Sequence, residues 1–321
     1  MFGLTFLSAT SKTTTHRVVP FRMGRLLPAI AGYVAGGFDS GGFLSGIDKI
    51  AFPADTKTTL SATLSPASNR HAGFANSGVA GYVAGGNDGA RISTIQKISF
   101  PAETRTTIAA TLTTVNADAA GFANSGVAGY VAGGSAPSNL SAIDKIAFPA
   151  DTKTTLSATL TTARYGVAGF ANSGAAGYAA GGIDSSTLSG IDKIAFPADT
   201  KTTLSATLTT NNQNATGFAN SGVAGYAAGG SDSSYLSGID KVSFPADTKT
   251  TLSATLTTAR STAAGFANSG VAGYAAGGES ALGNLSGIDK ITFSADTKTT
   301  LSATLTTARR AAAGFADSGS L

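Results

Sequence analysis

The sequence predicts an all-β protein, a six-bladed β-propeller of four-stranded blades, and three observations support this fold class. A repeat of about 48 residues runs through the chain, and each copy contains four strand-like segments. The phase of the repeat also leaves complementary strands at the two ends of the chain. Repeats of ~40–50 residues with four strands each are typical of propeller blades, whereas solenoid coils are shorter.

Aromatic residues mark the repeat. The string Gly-Tyr-(Val/Ala)-Ala-Gly-Gly recurs six times, and Gly-Phe-Ala-(Asn/Asp)-Ser-Gly and the Phe that closes Ile-Asp-Lys-Ile-Ala-Phe recur with it. The repeated tyrosines are Tyr33, Tyr82, Tyr130, Tyr178, Tyr226 and Tyr274. Since these motifs take up six of the eight tyrosines and most of the 17 phenylalanines, we expect the aromatic side chains to build the blades.

The second copy shows the four segments most clearly. It predicts strand a over 73–77, strand b over 79–84, strand c over 92–100 and strand d over 105–112. Each segment is rich in β-branched, apolar or aromatic residues and is bounded by Gly, Pro or Asn, which is the pattern of short strands. No apolar period of helical length competes with this interpretation.

The two ends of the repeat predict how the ring closes. The last copy stops after a strand a near residue 319, and the first copy begins with a strand b near residue 30. Pairing these strands completes the first blade and removes two open sheet edges. We therefore expect a propeller over 29–321 and a basic extension over 1–28. Leu7-Ser8-Ala9-Thr10 resembles strand d, so the extension is alternatively a degenerate half-blade that competes for the closing position.

The positive charge is confined to this extension. The chain has 22 basic and 18 acidic residues, a net charge of +4 and a pI near 9.2. The four basic residues that precede the first acidic one account for the excess: Lys12, Arg17, Arg22 and Arg25. A neutral disc lacks the basic face that nucleic-acid binding requires, so we predict no nucleic-acid partner and interpret the four residues as a tether.

Composition also excludes several classes of chemistry. With no Cys there is no disulfide scaffold, thiolate nucleophile or Cys-ligated zinc. The only histidines, His16 and His71, lie in dissimilar contexts, so we expect no catalytic triad, metal site or cofactor and predict that the protein is not an enzyme. Neither a signal peptide nor an apolar run of ~20 residues is present, so we expect no membrane insertion.

Variation between the copies predicts a binding face. The a–b and c–d turns are nearly constant, whereas the b–c and d–a loops differ, and a four-stranded meander places those two loop sets on one face of the disc. Loops on a rigid scaffold often bind partners, although drift in exposed loops explains the variation equally well. The candidate binding residues are Arg70, His71, Asn87, Asp88, Arg91, Arg164, Tyr165, Asn212, Asp232, Tyr235, Arg260 and Arg309. The repeated Lys and Asp residues of strand c and the c–d turn predict structural ion pairs instead.

An apolar aromatic strand that ends in Gly-Gly, followed by a strand that ends near an Asp-containing turn, resembles the kelch repeat over roughly 29–319. The kelch Trp is missing, because 55–60 reads Asp-Thr-Lys-Thr-Thr-Leu. The nearly identical Ala/Gly/Thr/Ser-rich copies also resemble bacteriophage propellers, which implies a tail or virion component. On this basis we expect a module at the virion surface that binds a host glycan or protein, with 1–28 docked to other virion proteins. A structural decoration protein and a cytoplasmic kelch-type scaffold are the alternatives.

Overall fold

A computed structural model describes residues 30–318, which form six four-stranded antiparallel sheets in blade order a-b-c-d. Blade 1 comprises Ala313–Ala316, Ala31–Ala35, Ile47–Ala51 and Thr56–Thr59, and blade 2 comprises Ala72–Asn76, Ala80–Ala84, Thr94–Ser99 and Thr104–Thr111. Blade 3 comprises Ala120–Asn124, Ala128–Ala132, Ile143–Ala147 and Thr152–Thr155, and blade 4 comprises Ala168–Asn172, Ala176–Ala180, Ile191–Ala195 and Thr200–Thr203. Blade 5 comprises Thr216–Asn220, Ala224–Ala228, Ile239–Ser243 and Thr248–Thr251, and blade 6 comprises Ala264–Asn268, Ala272–Ala276, Ile288–Thr292 and Thr297–Thr300. The predicted six-bladed architecture is confirmed.

The ring closes as the repeat phase predicts. Strand a of blade 1, Ala313–Ala316, pairs antiparallel with strand b, Ala31–Ala35, in the register Tyr33 opposite Phe315. This is the register that Tyr82 and Phe74 adopt in blade 2, where both strands are consecutive in the chain. The suggested half-blade and tether in 1–28 lie outside the described residues and remain predictions.

Strand d differs in length between blades. It has eight residues in blade 2, Thr104–Thr111, as the sequence predicts, but only four in each of the other five blades. Blade 2 carries β-branched Ile108 and then Ala109, where all five other copies carry Leu and Ser, and β-branched residues favour extended backbone. The b–c loops of blades 1 and 6 add short hairpins, Phe38–Asp39 with Gly42–Phe43 and Glu279–Ser280 with Gly283–Asn284.

Six glycines close the centre of the disc. The second residue of each strand a is Gly, and these residues form a ring around the axis: Gly73, Gly121, Gly169, Gly217, Gly265 and Gly314. A Cβ placed on Gly169 would lie 2.3 Å from the carbonyl oxygen of Gly121, so only glycine allows the innermost strands to pack backbone against backbone. The axis is therefore filled by main chain at this level.

An aromatic and ionic cluster joins each blade to the next. Between blades 2 and 3, the Tyr82 ring stacks between Phe74 and Phe148, with centroid distances of 5.1 Å on both sides. The Tyr82 hydroxyl donates to Asp151 Oδ1 at 2.7 Å, and Lys97 Nζ lies 2.7 Å from Asp151 Oδ2. Burial is the main reason that the pKa of Tyr82 is raised far above its ordinary value.

The Tyr–Lys–acid cluster recurs at all six blade junctions, with Glu103 as the acid between blades 1 and 2. The other lysine pairs are Lys145–Asp199, Lys193–Asp247, Lys241–Asp296 and Lys290–Asp55. The predicted structural role of the repeated charges is thus confirmed. The partners belong to neighbouring blades, so each pair fixes one blade against the next.

Candidate functional site

The two variable loop sets adjoin on one face of the disc. Each d–a loop forms a short antiparallel bridge with the b–c loop of the following blade, as Tyr165 does with Ile183 and Gln213 with Ser231. The same bridge joins Arg310 to Phe38, across the junction where the ring closes. We call this surface the variable face.

A closed ring of main-chain hydrogen bonds supports the centre of this face. One residue in each d–a loop has a positive φ between 54° and 64°, and its N–H donates to the carbonyl oxygen of its counterpart in the preceding loop at 2.7–2.9 Å. These residues are Arg70, Asp118, Gly166, Asn214, Thr262 and Ala311. Arg, Thr and Ala seldom adopt positive φ, so the surrounding contacts must hold them there. The ring presents its side chains at fixed positions around the axis.

A concave pocket of about 460 Å³ opens on the variable face above this ring. Its polar lining comes mainly from the loops around blades 4 to 6 and from the ring itself. The lining residues are Arg70, Asp118, Tyr165, Gln213, Asn214, Ser231, Asp232, Ser233, Ser234, Tyr235, Ser261, Thr262, Glu279, Arg310 and Ala311. We call it the axial pocket.

The charged groups of the axial pocket are paired across neighbouring loops. Arg70, whose side chain is 49% exposed, lies 3.2 Å from Asp118. Burial raises the pKa of Asp118 more than the Arg70 charge and hydrogen bond lower it. Arg310 pairs with Glu279 and lies 5.4 Å from the centre of the Phe38 ring. The pocket therefore combines hydroxyl, amide, carboxylate and guanidinium groups with two tyrosines, and it suits an uncharged or mixed-charge polar ligand.

Seven of the twelve predicted binding residues lie at or near the surface of the variable face. Four line the axial pocket, namely Arg70, Tyr165, Asp232 and Tyr235. The b–c loop of blade 2 carries the other three, Asn87, Asp88 and Arg91, outside the pocket lining. Arg91 Nε donates to Ser135 Oγ at 3.2 Å, and Asp232 accepts a hydrogen bond from the Thr187 hydroxyl at 2.5 Å. The binding role of these seven residues stays a prediction.

The other five predicted binding residues are buried beneath the loops. The sequence-based expectation that they contact a partner at the surface is therefore wrong. Three of them are arginines, each only 3% exposed, whose guanidinium groups pair with buried strand-c carboxylates. These pairs are Arg164–Asp192 at 3.1 Å, Arg260–Asp289 at 2.7 Å and Arg309–Asp48 at 3.1 Å. They anchor a loop to the following blade, which is a structural role.

His71 and Asn212 are the remaining two buried residues. His71 Nε2 shares a hydrogen bond of 2.8 Å with Ser68 Oγ, and burial lowers the pKa of His71 to about 3, so the ring is neutral at pH 7. Asn212 Nδ2 donates to the carbonyl oxygen of Gly229 at 2.7 Å. Both side chains therefore lie below the rim of the loops.

Several pocket residues were missed by the sequence analysis. Gln213, Asn214, Ser261 and Arg310 each lie one or two residues after a predicted binding residue, and Glu279 begins the b–c loop of blade 6. The signal that could have identified them is the bridge pattern, in which the residue after the buried position turns outward. Sequence alone does not reveal which of two adjacent polar residues turns inward.

Comparison with known proteins supports the fold and goes no further. No family model matches the chain, and no curated protein matches it. Among solved structures, the bacterial protein YjhT matches with a TM-score of 0.66 and 14% identity, over 86% of this chain and 98% of its own. The structural similarity at this low identity shows that the two chains share a propeller fold. No helix within residues 30–318 is long and apolar enough to cross a membrane.

Proposed function

We propose that the protein is a non-enzymatic recognition module of a virion, and that its axial pocket binds a host-surface glycan. The observation that carries the proposal is the loss of six-fold symmetry at this pocket. Tyr165 occupies a position that is Asn69 in one copy and Ala117 in another, and Tyr235 occupies a position that is Arg91 in blade 2. The strands and the a–b and c–d turns are nearly identical between copies, so the two tyrosines that line the pocket, on the loops of blades 4 and 5, distinguish these two blades from the others.

The chemistry of the axial pocket favours a sugar. A tyrosine offers a flat apolar face and a hydroxyl at its edge, which match the apolar face and the hydroxyl groups of a pyranose ring. Gln213, Asp232 and the serines at 233 and 234 add short, adaptable donors and acceptors. Concave sites with a few convergent polar groups are the usual form of small-ligand sites.

Within residues 30–318, few side chains are suited to catalysis, which favours binding over catalysis. The histidine among the described residues, His71, is buried and neutral. No group of three or more His, Cys, Asp or Glu side chains within residues 30–318 could hold a metal ion. The pocket carboxylates are engaged by Arg70, Arg310 and Thr187.

The position of Ile30 favours attachment through the face of the disc opposite the variable face. Ile30 occupies the position that Val79 occupies at the a–b turn of blade 2, since its carbonyl accepts from Phe52 as that of Val79 accepts from Phe100. The a–b turns lie at the end of the strands opposite the variable loops. A tether formed by 1–28 would therefore start on the face opposite the axial pocket. The proposed virion location has a different basis, namely the resemblance of the repeats to bacteriophage propellers.

A glycan array and binding to host cells test the proposal. We expect the variant Tyr165→Ala/Gln213→Ala/Asp232→Ala/Tyr235→Ala to lose at least ten-fold in affinity for any glycan that the native protein binds, since ~1.4 kcal/mol already corresponds to ten-fold. The matched control replaces exposed a–b turn valines, Val79, Val127, Val223 and Val271, with Ala and should bind normally. Unchanged binding by the pocket variant would contradict the assignment.

Deletion of 1–28 separates this function from a purely structural one. We expect the shortened protein to bind the glycan but not to join its assembly. If the full protein joins the assembly and binds no glycan or host cell, the decoration role is favoured.

A further inference from the structure

One buried position beneath the variable face is occupied by different residue types in different blades, and this difference indicates a binding site distinct from the axial pocket. This position precedes each d–a loop tip and lies 28 or 29 residues before the buried polar residue of strand c in the next blade, except where the chain ends join. It is Arg for three blades, Asn for two and Ser for one: Arg309, Ser68, Asn116, Arg164, Asn212 and Arg260 for blades 1 to 6. We call it the anchor position.

Blade 6 shows what an arginine does at the anchor position. Arg260 Nη2 donates to Asp289 Oδ2 at 2.7 Å, and Arg260 Nη1 donates to the carbonyl oxygens of Gly277 and Gly287 at 3.1 and 3.2 Å. In blade 1, Arg309 makes the corresponding contacts with Asp48, Gly36 and Gly46. One carboxylate and two carbonyl groups thus form a socket that accepts a planar, fork-shaped cation.

Blade 5 retains this socket but has no arginine to fill it. Asn212 stands at the anchor position, and the equivalent acceptors are Asp240, Gly229 and Gly238. All four residues line a cavity of about 90 Å³. Asn212 Oδ1 is buried and has no hydrogen-bond partner among the described residues. The shorter side chain has left both an empty volume and an unused acceptor.

Exposure of the strand-c carboxylates follows the identity of the anchor residue. Where the anchor is arginine, the side chains of Asp48, Asp192 and Asp289 are 0–1% exposed. Where the anchor is asparagine, Asp144 and Asp240 are 9% and 11% exposed. The sockets of blades 3 and 5 are therefore reached by solvent at the point that a guanidinium group covers in the other three.

Hydrogen bonding confirms that the empty socket has spare capacity. Asp240 Oδ2 accepts from the Thr209 backbone N–H at 2.7 Å, and its Oδ1 accepts from the hydroxyls of Thr209 and Thr251. Asp289 makes the same three contacts through Thr257 and Thr300 and still accepts from Arg260. Asp240 can thus accept one further charged donor without giving up a present contact.

We propose that blades 5 and 3 carry binding sites for a guanidinium group supplied from outside the chain. The socket of blade 5 holds carbonyl acceptors and the carboxylate of Asp240, which Lys249 Nζ approaches to 3.7 Å, so it favours a cationic donor. The full acceptor set orients a guanidinium in blades 1 and 6. In blade 4, Asp192 accepts from Arg164 even though Lys201 Nζ lies 3.8 Å away. Blade 2 carries no such site, because Ser68 and Gln96 replace both the arginine and the carboxylate with neutral groups. The source of the group is either a free guanidinium compound or an arginine side chain of a partner. This inference does not depend on the axial pocket.

Titration of the full-length protein with N-methylguanidinium, followed by ligand-observed NMR, tests the proposal. We expect saturable binding with a dissociation constant on the order of 1 mM, as befits so small a ligand. The variant Asn116→Arg/Asn212→Arg supplies internal guanidinium groups and should abolish binding. Asn211→Arg, the same change at the exposed position next to Asn212, is the matched control and should leave binding intact.

Three results would overturn the proposal: no saturable binding by the native protein, undiminished binding by Asn116→Arg/Asn212→Arg, or equal binding of methylammonium. If the arginine variant does not fold, Asp144→Asn/Asp240→Asn removes the charge with little change in shape and should weaken binding at least ten-fold. A capped Gly-Arg-Gly peptide identifies the source. Binding as tight as that of the free ion indicates a partner arginine, and weaker binding indicates a small compound. Tyr165→Ala, which alters only the axial pocket, should leave these titrations unchanged.

Discussion

Replacing the buried Arg164 by alanine gives the sharpest test of what holds the blades together. The change removes two hydrogen bonds of Arg164 Nη2, to Asp192 Oδ2 at 3.1 Å and to the carbonyl oxygen of Ala179 at 3.0 Å. It leaves the Asp192 side chain, which is 1% exposed in the native protein, with Lys201 Nζ at 3.8 Å as its remaining ionic partner. Breaking a buried ion pair by removing one member typically costs ~3–5 kcal/mol.

The structure places Arg164→Ala at the lower end of this range. Asp192 keeps three hydrogen bonds, from the backbone N–H and hydroxyl of Thr161 and from the hydroxyl of Thr203, at 2.7–2.9 Å. The variant also removes a buried Arg164 Nε that has no partner among the described residues. We therefore expect a loss of about 3 kcal/mol in the free energy of unfolding at pH 7.

The loss should depend on pH in a defined direction. Burial raises the pKa of Asp192, but hydrogen bonds from Thr161 and Thr203 and the charge of Arg164 outweigh it, so the pKa lies below the ordinary value of 3.8. A carboxyl whose folded pKa is depressed stabilises the fold above its unfolded pKa, and that stability is lost as pH falls through the folded pKa. Since Arg164 contributes to the depression, the deficit of the variant should shrink between pH 4 and more acid conditions.

Urea denaturation at pH 7 and pH 3, monitored by tyrosine fluorescence, measures both effects. Arg91→Ala removes an exposed arginine and serves as the control, with an expected change within ~0.5 kcal/mol. A loss below ~1 kcal/mol for Arg164→Ala at pH 7, or an equal loss at both pH values, would refute the role assigned to the pair.

Three further predictions concern the rest of the fold. Gly169→Ala places a Cβ 2.3 Å from the carbonyl oxygen of Gly121 and should lower the free energy of unfolding by about 3 kcal/mol, as measured by urea titration. Gly46→Ala is the control and should change it little, because nothing lies within 4 Å of the new Cβ. The buried tyrosines of the six blade junctions have raised pKa values, so ultraviolet titration should show that they remain protonated above pH ~10. Because unfolding lowers these pKa values, the free energy of unfolding should be retained below pH ~10 and decline above it. Deletion of 313–321 removes strand a of blade 1 and should produce oligomers in light scattering, and a truncated protein that stays monomeric and equally stable would contradict ring closure.

The architecture could be predicted from the sequence because repetition reports non-local structure directly. The spacing of Tyr33 and its counterparts gives the number of blades, and the phase at Ala31 and Phe315 gives the closing pair. Aromatic and charged residues that are identical in all six repeats are expected to form a contact that recurs at every blade junction. The cluster around Tyr82 is such a contact.

The site was harder to predict because the information there is not repeated. Arg164 and Tyr165 are adjacent, polar and variable, yet the first turns inward to a carboxylate and the second turns outward to the axial pocket. That choice depends on the loop bridge with Ile183, which involves a residue of the next blade. Likewise, Thr262 gives no sequence sign of a positive φ, because the hydrogen-bonded ring imposes it.

The shared first blade has a consequence for how the protein is made. Ala313 follows Ala35 by 278 positions, and at ~5–20 residues per second a ribosome needs roughly 15 to 60 s to span that distance. During this time the apolar strand Ala31–Ala35 lacks the neighbour that buries it and presents an open edge to other nascent chains. Because blade 1 is completed only by this last pairing, its open edge is the part of the growing chain most exposed to aggregation during synthesis. It is also the edge that a chaperone would have to cover.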